Sequence, residues 1–488
     1  MMVFRKDIAM INLLPTPKKY AIKDNAFHKL STTLYNEVTE WNDVVEAFCE
    51  SFFKVFETDI SVGQRGGIEI VYDDTVKKDA YLLDSGQAIV IRASDKEGLN
   101  YGLASAIQLI NVFDETMSVQ NVFIEDYPEK EFRSFMADIG SCWHPFNKLL
   151  KYVDLCFLYK IKYLHLHLSE TGYYLPSKAF PNLFEKNKHY TYEQLKQLNH
   201  YASARGILLI PEFECPGHAV SLNKKYPEVF SNHFDGEMGG FYNEMGSKMD
   251  TRALICAGSD IAFEGVRTLL SEIVELFPNS PYIHIGGDEA PYKWWNYCND
   301  CRAYMKEHGI ADAHELYSEY VGRVASYVLS LGKTPMVWEG FPKESAYHIP
   351  KETVVVAWES HYQMSYELLE NGFKIVNASW QPTYIVSSLL RRWGPKDLLE
   401  WNVYNWQHWW TESEARLNPI NIEPTGDMLG ATMCSWGLTY EQHISRILEN
   451  LPAFAERTWT VKRLLDFDEY RDVFKNILQK GACLVQDI

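Results

Sequence analysis

No stretch of this 488-residue chain reaches the roughly 18 consecutive apolar residues that a membrane-spanning helix requires. A basic cluster is also missing. Lys and Arg number 47 against 65 Asp and Glu, a net charge of −18 with His neutral, and phosphate binding needs a clustered cationic footprint. Nucleic acid is therefore excluded as the main partner. The nine cysteines, an odd number spread over a long chain, do not make a compact disulfide framework. A reduced, cytoplasmic protein is expected. Cys298 and Cys301 form one CxxC with no second pair nearby to complete four zinc ligands, so two free thiols are expected there. The opening MMVFRKDIAMINLLPTPKKY is interrupted by Asp7, Asn12 and Pro15, and no small-residue cleavage pattern follows, which argues against a signal peptide. There is no low-complexity tract and no short-period repeat. What is present is an ordinary globular balance, 46% apolar and 23% charged, wrong for disorder. Aromatics are plentiful: 14 Trp and 30 Tyr suit either a flat, stacking ligand or an aromatic core.

Two zones follow from the patterning. Residues 1–128 mix strand-like runs (GIEIVYDD at 67–74, QAIVIRAS at 87–94) with an amphipathic helix over 97–111. In that helix Leu99, Leu103, Ala106, Ile107 and Ile110 share a face. Pro128 marks the connector. Residues 129–488 alternate short strands with helices. The strands are expected at 132–138, 161–168, 206–213, 282–287, 335–340, 353–358, 373–379 and 430–436. Helices are expected at Tyr192–Ala204, Glu315–Leu331, Ser365–Asn371 and Glu441–Arg457. Eight strands in strict alternation with helices imply parallel pairing and a (β/α)₈ TIM barrel, here preceded by a small α+β domain. Chemistry in such a barrel sits on the loops at the carboxyl ends of the strands.

The fourth strand ends in His284-Ile285-Gly286-Gly287-Asp288-Glu289. Two adjacent carboxylates push one pKa upward, which a general acid needs. Neighbours on a strand point to opposite faces, so both reach one ligand only where the strand breaks, and Gly286-Gly287 supplies that freedom. A pair of solvated loop acids is the bland alternative. Trp338, Trp358 and Trp436 close strands five, six and eight, either as the walls of a pocket or as caps on the barrel core. His165 and His167, two apart on one strand, share a face. With His218 and His284 they suggest a zinc site of the metal-dependent hydrolase kind. The competing reading is a hydrogen-bonded network of His165, His167, His284 and Asp288 that supports Glu289.

The run HIGGDEAPYKWW (284–295) resembles the active-site signature of glycoside hydrolase family 20, the β-N-acetylhexosaminidases. EFRSFMAD, YLHLHLSETGYYLPSKAFPNL, LIPEFECPGHA and AFAERTW resemble further family segments in the right order. LLPTPKKY (13–20) and GLNYGLASAIQLI (98–110) resemble its small leading domain. The resemblance implies an exo-acting retaining hydrolase in which the substrate's own 2-acetamido oxygen attacks the anomeric carbon, a substrate-assisted route. It also implies roles. Glu289 is the general acid and base, and Asp288 holds the acetamido N–H. Tyr384 donates to the acetamido oxygen, and Trp338, Trp358 and Trp436 wall the acetamido pocket. Arg133 binds sugar hydroxyls, His218 joins the substrate-binding set, and His165, His167, His284 and Asp138 support them.

No metal and no cofactor are implied, and the HxH reads as scaffold. The partner is a small oligosaccharide or glycoconjugate, with pairing of two copies left open. Two departures bear on specificity. Val386 and Leu438 stand where the family commonly presents carboxylates to hydroxyls four and six, which leaves the choice between gluco and galacto sugars open. Arg391 and Arg392 suggest a place for a sulfate. A barrel that binds glycans without turnover, and a metal-dependent barrel hydrolase, are the alternatives.

Overall fold

The computed structural model describes residues 10–234, 250–386 and 393–486. The alternating pattern from residue 132 onward folds as eight parallel strands: β1 (Phe132–Asp138), β2 (Tyr163–His167), β3 (Leu208–Glu212), β4 (Tyr282–His284), β5 (Thr334–Trp338), β6 (Val354–Ala357), β7 (Lys374–Asn377) and β8 (Met428–Ser435). Each pairs with the next, and β8 pairs with both β7 and β1, which closes the barrel. The strand pleat sorts their side chains. Phe132, Tyr163, Ile210, Met336, Val354, Val356, Val376 and Cys434 fill the interior. Leu164, Leu166, Val337, Val355 and Ile375 face outward into the main core beneath the helices. Phe132 stacks on Tyr163 at 4.7 Å and Tyr282 meets both edge-on, so aromatic rings plug the amino-terminal end.

Register then builds the working end. His167 lies opposite Asp138 on one side and Glu212 on the other, and Glu212 lies opposite His284. Four polar side chains thus occupy one level at the carboxyl ends of β1 to β4. A ninth short strand, Tyr384–Ile385, pairs with Cys434 and Ser435 at the end of β8 and raises the wall there.

Residues 19–126 form the small domain, a mixed sheet. Its long strands Lys19–Lys29 and Thr116–Asp126 pair antiparallel, followed in order by Tyr81–Ser85, Ile89–Ala93, Ile68–Tyr72, Thr33–Asn36 and Ser61–Val62. The expected amphipathic helix runs Lys96–Leu109, with the Asp95 side chain accepting from the Gly98 N–H at its start. It is buried all round from Gly98 to Leu109 because it is pressed between this sheet and the barrel helix Phe146–Leu158. The terminal helix Phe467–Val485 packs on both Phe146–Leu158 and the small-domain helix Asn42–Phe56, and so fastens the two units together.

Arg133 belongs to this junction, which corrects its assignment to the sugar. Phe132, Met136 and Asp138 point inward, so Arg133 points outward, at the end of β1 remote from the mouth. Its guanidinium donates to the carbonyls of Lys130, Glu131 and Lys160 and to the Tyr101 hydroxyl, and it lies 5.0 Å from the Trp459 ring. All of these partners lie at the junction and none at the mouth.

A second ion at the junction offers a test. Lys160 Nζ and Asp126 Oδ2 are 3.2 Å apart and fully buried, with Tyr81 and the Trp459 indole N–H also bonded to Asp126. Burial lowers the Lys160 pKa, and Asp126 opposes that shift. Removing one partner of a buried pair costs about 3–5 kcal/mol, whereas replacing both by apolar groups is often neutral. Asp126→Ala should therefore lower the melting temperature clearly, and Asp126→Leu with Lys160→Met should recover most of it. An unchanged melting temperature in the single variant would contradict this.

Candidate active site at the barrel mouth

The β4 strand stops at His284, and the chain then turns through Gly286 and Gly287, both in the left-handed region at φ +70° and +92°. A Cβ on Gly286 would lie 1.9 Å from Glu214 Oε2, so only glycine admits the Glu214 carboxyl there. The break delivers Asp288 and Glu289 to the same side, as their order after the two glycines suggested. Glu289 itself sits at φ +47°. Their environments differ sharply: the Asp288 side chain is 12% exposed and that of Glu289 60%. Burial raises the Asp288 pKa to about 6; His218 pulls it down, while Glu289 and Glu212 push it up.

His218, on the loop after β3, bridges the pair. Its Nδ1 is 2.7 Å from Glu170 Oε1, and its Nε2 is 3.8 Å from Asp288 Oδ2 and 3.6 Å from Glu289 Oε2. Burial alone would lower its pKa. The bond to Glu170 and the charges of Asp288, Glu289 and Glu170 outweigh that and raise it to about 10. Burial likewise works against ionised Glu170, but the His218 bond and charge bring it down to about 2. The result is an anion–cation–anion chain running from Glu170 through His218 into the carboxylate pair.

Beneath it lies a second network, centred on Glu212. His165 Nε2, His167 Nδ1 and His284 Nδ1 stand 3.0, 2.7 and 2.9 Å from its oxygens, and the Trp338 indole N–H donates to Oε1 at 2.5 Å. Three imidazoles hold the Glu212 carboxyl well below the usual range against the cost of burial. Burial lowers His165 to about 4, whereas Glu212 and Asp138 lift His167 to about 9 despite burial. Glu214 is pushed well up by burial and by the nearby Asp288 and Glu212. Asp138 accepts from the backbone N–H groups of Ser141 and Gly437, tying the loops after β1 and β8 together 3.9 Å from His167.

This arrangement revises the zinc alternative. Potential ligands group as His165 with Glu212 and His284, His167 with Glu212 and Glu214, and His218 with Asp288 and Glu289. His165 and His284 share one group, but His167 and His218 belong to two others, so the four histidines singled out in the sequence do not converge on one point. His165, His167 and His284 gather on Glu212, a residue the network reading did not name, and His218 is the histidine beside Asp288 and Glu289.

The expected tryptophans form an arc. Trp358 stacks on Tyr384 at 6.3 Å, Tyr384 lies 6.3 Å from Trp436, and Trp436 lies 5.9 Å from Trp338. Trp338 is the floor, fully buried over His165 and His284. Trp358 is fixed by its indole N–H bond to the Glu339 carbonyl. Trp436 is half-buried at the rim, edge-on to His167.

Sequence reasoning missed Glu170, Glu212 and Glu214. The visible signal was a pair of acids two apart at the end of β3, on one face of the strand. It also missed Trp380, which stacks on Tyr384 at 4.9 Å and meets Trp393 and Trp409 edge-on. The position of Leu438 needs correcting. It is buried in the main core and not at the mouth, and its carbonyl lies 3.2 Å from His144 Nε2. Val386 does belong to the apolar cluster of the mouth. Trp401 and Trp406, from the same aromatic-rich stretch, are core residues. Arg391 and Arg392 lie outside the described residues.

A closed parallel barrel with a small mixed-sheet domain before it, and two carboxylates against aromatic walls at its mouth, has the architecture of a two-domain glycosidase barrel. The chain belongs to glycosyl hydrolase family 20: residues 131–462 match the family's catalytic domain and residues 10–127 its domain 2. Among curated proteins it is 25% identical to a beta-hexosaminidase of Porphyromonas gingivalis over 94% of this chain and 62% of that protein. It is 27% identical to one of Vibrio furnissii over 78% and 64%. The chain thus spans just under two thirds of the length of these two relatives. Among solved structures, the GH20 exo beta-N-acetylglucosaminidase of Vibrio harveyi superposes with a TM-score of 0.81 at 22% identity, covering 97% of this chain and 77% of that one. The beta-N-acetylhexosaminidase of Bacteroides fragilis gives 0.77 at 23%, covering 96% and 94%. Among the described residues no helix is long and apolar enough to cross a membrane.

Proposed function

We propose that the chain is an exo-acting, retaining β-N-acetylhexosaminidase that releases terminal β-linked N-acetylglucosamine or N-acetylgalactosamine by participation of the substrate's acetamido group. The observation that carries this reading is the placement of Asp288 and Glu289. Their nearest oxygens lie within 4.8 Å of each other, and they are neighbours in the chain. An inverting pair stands about 6.5–9.5 Å apart to admit water, which this close pair does not allow, and a retaining pair stands about 5–5.5 Å apart. The route of family 20, in which the substrate's acetamido oxygen attacks the anomeric carbon, supports a nucleophile that comes from the substrate.

Each group has a task in that scheme. Glu289, open to solvent, gives its proton to the glycosidic oxygen as the C1–O bond breaks and the acetamido oxygen bonds to C1. It then takes a proton from the water that opens the oxazolinium ring, so the anomeric configuration is retained. Asp288, buried against the arc, accepts the acetamido N–H and balances the positive charge that grows on the ring. Tyr384 donates its hydroxyl to the acetamido oxygen, while Trp358 and Trp436 bracket the methyl group and Trp338 closes the floor. His218 keeps Asp288 ionised. A panel of p-nitrophenyl glycosides tests the whole: the 2-acetamido-β-glycosides should be cleaved, and the 2-hydroxy-β-glucoside and the α-anomers left intact.

The pH profile follows from the same geometry. Below about pH 6 the Asp288 carboxyl takes up a proton and no longer balances the ring charge, so kcat/KM should fall on the acid side through that value. His218 lowers the Asp288 pKa. His218→Ala should therefore shift the acid limb to higher pH, and an unshifted limb would remove His218 from this role.

Specificity is expected to be loose at carbon four. Val386 offers no hydrogen bond, and a site without such partners leaves no polar group stranded by the wrong sugar. The ratio of kcat/KM for gluco and galacto substrates should then stay far below the roughly 10⁴ that a hydrogen-bonding pocket enforces. Val386→Asp should widen it, and a strong preference unchanged by Val386→Asp would show that position 386 does not face the sugar.

A further inference from the structure

The isolated CxxC has a partner that the sequence does not reveal. Cys256, on the loop before helix Asp260–Leu276, lies 42 residues before Cys298, yet its Sγ is 3.6 Å from that of Cys298 and 3.7 Å from that of Cys301. All three sulfurs are buried and lie within 4.8 Å of one another. These separations are far too long for a disulfide, whose sulfurs stand about 2.05 Å apart. They are close to the edge of a sulfur tetrahedron around zinc. With Zn–S bonds of about 2.3 Å, that edge is about 3.8 Å.

The two loops are pressed together. A Cβ on Gly258 would lie 2.4 Å from the Asp300 carbonyl oxygen and 2.6 Å from the Cys301 Cα. Beside the sulfurs is an oxygen donor: Asp300 Oδ2 lies 3.9 Å from the Cys256 sulfur and is held at 2.6 Å by His233 Nδ1.

We propose that Cys256, Cys298 and Cys301 bind a structural zinc ion as thiolates. The ion clamps the loop that follows β3 to the loop that follows β4. The second of these carries Asp288 and Glu289 and continues through Trp295, whose indole N–H donates to the Ile255 carbonyl one residue before Cys256. The zinc therefore stabilises the base of the catalytic loop without meeting the substrate. Binding releases the thiol protons, three per ion, so affinity falls as pH falls.

Elemental analysis of the full chain, purified under reducing conditions without a metal-affinity step, should find about one zinc per chain. Cys298→Ser and Cys301→Ser should each reduce that to near zero, while Cys483→Ser, in the terminal helix, should leave it unchanged. Should the serine variants fail to fold, the wild-type chain stripped of metal and refolded with cobalt alone gives a second reading. Tetrahedral thiolate coordination shows as intense visible bands together with sulfur-to-cobalt charge transfer. Wild-type protein that carries no zinc and acquires neither zinc nor the cobalt spectrum would overturn the proposal. A disulfide joining any two of the three cysteines in peptide maps of the native protein would overturn it as well.

Discussion

Glu289→Gln is expected to lower kcat about 10²- to 10⁴-fold on substrates with poor leaving groups, such as a terminal sugar linked to another sugar. The amide keeps the size and reach of the side chain but has no proton to give. An aryl aglycone with a strongly acidic phenol needs little help to depart, so 2,4-dinitrophenyl glycosides should keep much of the parent's first step. What they lose is the second step, in which the same side chain takes a proton from water. Added azide, which needs no deprotonation, should then restore turnover on the activated substrate and yield the β-glycosyl azide. Equal loss on good and poor leaving groups, without rescue, would take Glu289 out of the acid–base role. The exposure of this side chain, set against the burial of Asp288, is what assigns it to the departing group.

Asp288→Asn is expected to cost about 10²- to 10³-fold in kcat, because it deletes the charge that faces the developing oxazolinium. It should do so without unfolding the protein. Asp288 has a folded-state pKa of about 6 against an ordinary 3.8, so its ionised form is less comfortable in the folded chain than in the unfolded one. That penalty grows as pH rises from about 4 through 6 and is fully present at pH 8. A neutral amide removes it. The melting temperature of the variant at pH 8 should equal or exceed that of the parent, while a thiazoline mimic of the oxazoline, tightly bound by the parent, should bind weakly. A transition-state-like ligand collects the charge interaction that the variant lacks. Loss of stability together with loss of rate would make Asp288 a structural residue.

The barrel was legible because its strands carry their own boundaries. Runs such as YLHLHL and TVVVAW alternate or continue with β-branched and apolar residues between turn signals, and six of the eight observed strands fall within the expected ranges, while β5 and β8 begin one and two residues earlier. The glycine break before Asp288 was also local, hence readable. What escaped depends on pairing across distance. Arg133 was assigned by its place in a motif, but the pleat of β1 turns it away from the mouth. Glu212 drew no attention until register set it opposite both His167 and His284. Leu438 stands two residues beyond Trp436, yet the turn at Gly437, in the left-handed region at φ +62°, carries it into the main core. Cys256 meets Cys298 and Cys301 only because two barrel loops lie side by side, and no spacing rule joins them.

Participation by the substrate is the claim on which the roles of Asp288, Tyr384 and the aromatic arc all depend. Its most direct test is kcat/KM for a series of p-nitrophenyl glycosides whose acetamido methyl carries none, one, two and three fluorines. Fluorine withdraws electron density from the acetamido oxygen and leaves the glycosidic bond and the acid catalyst alone. A steep, monotonic fall along the series is expected if that oxygen is the nucleophile. A flat series, with all four substrates cleaved at similar rates, would contradict participation and return the nucleophile to the protein or to water.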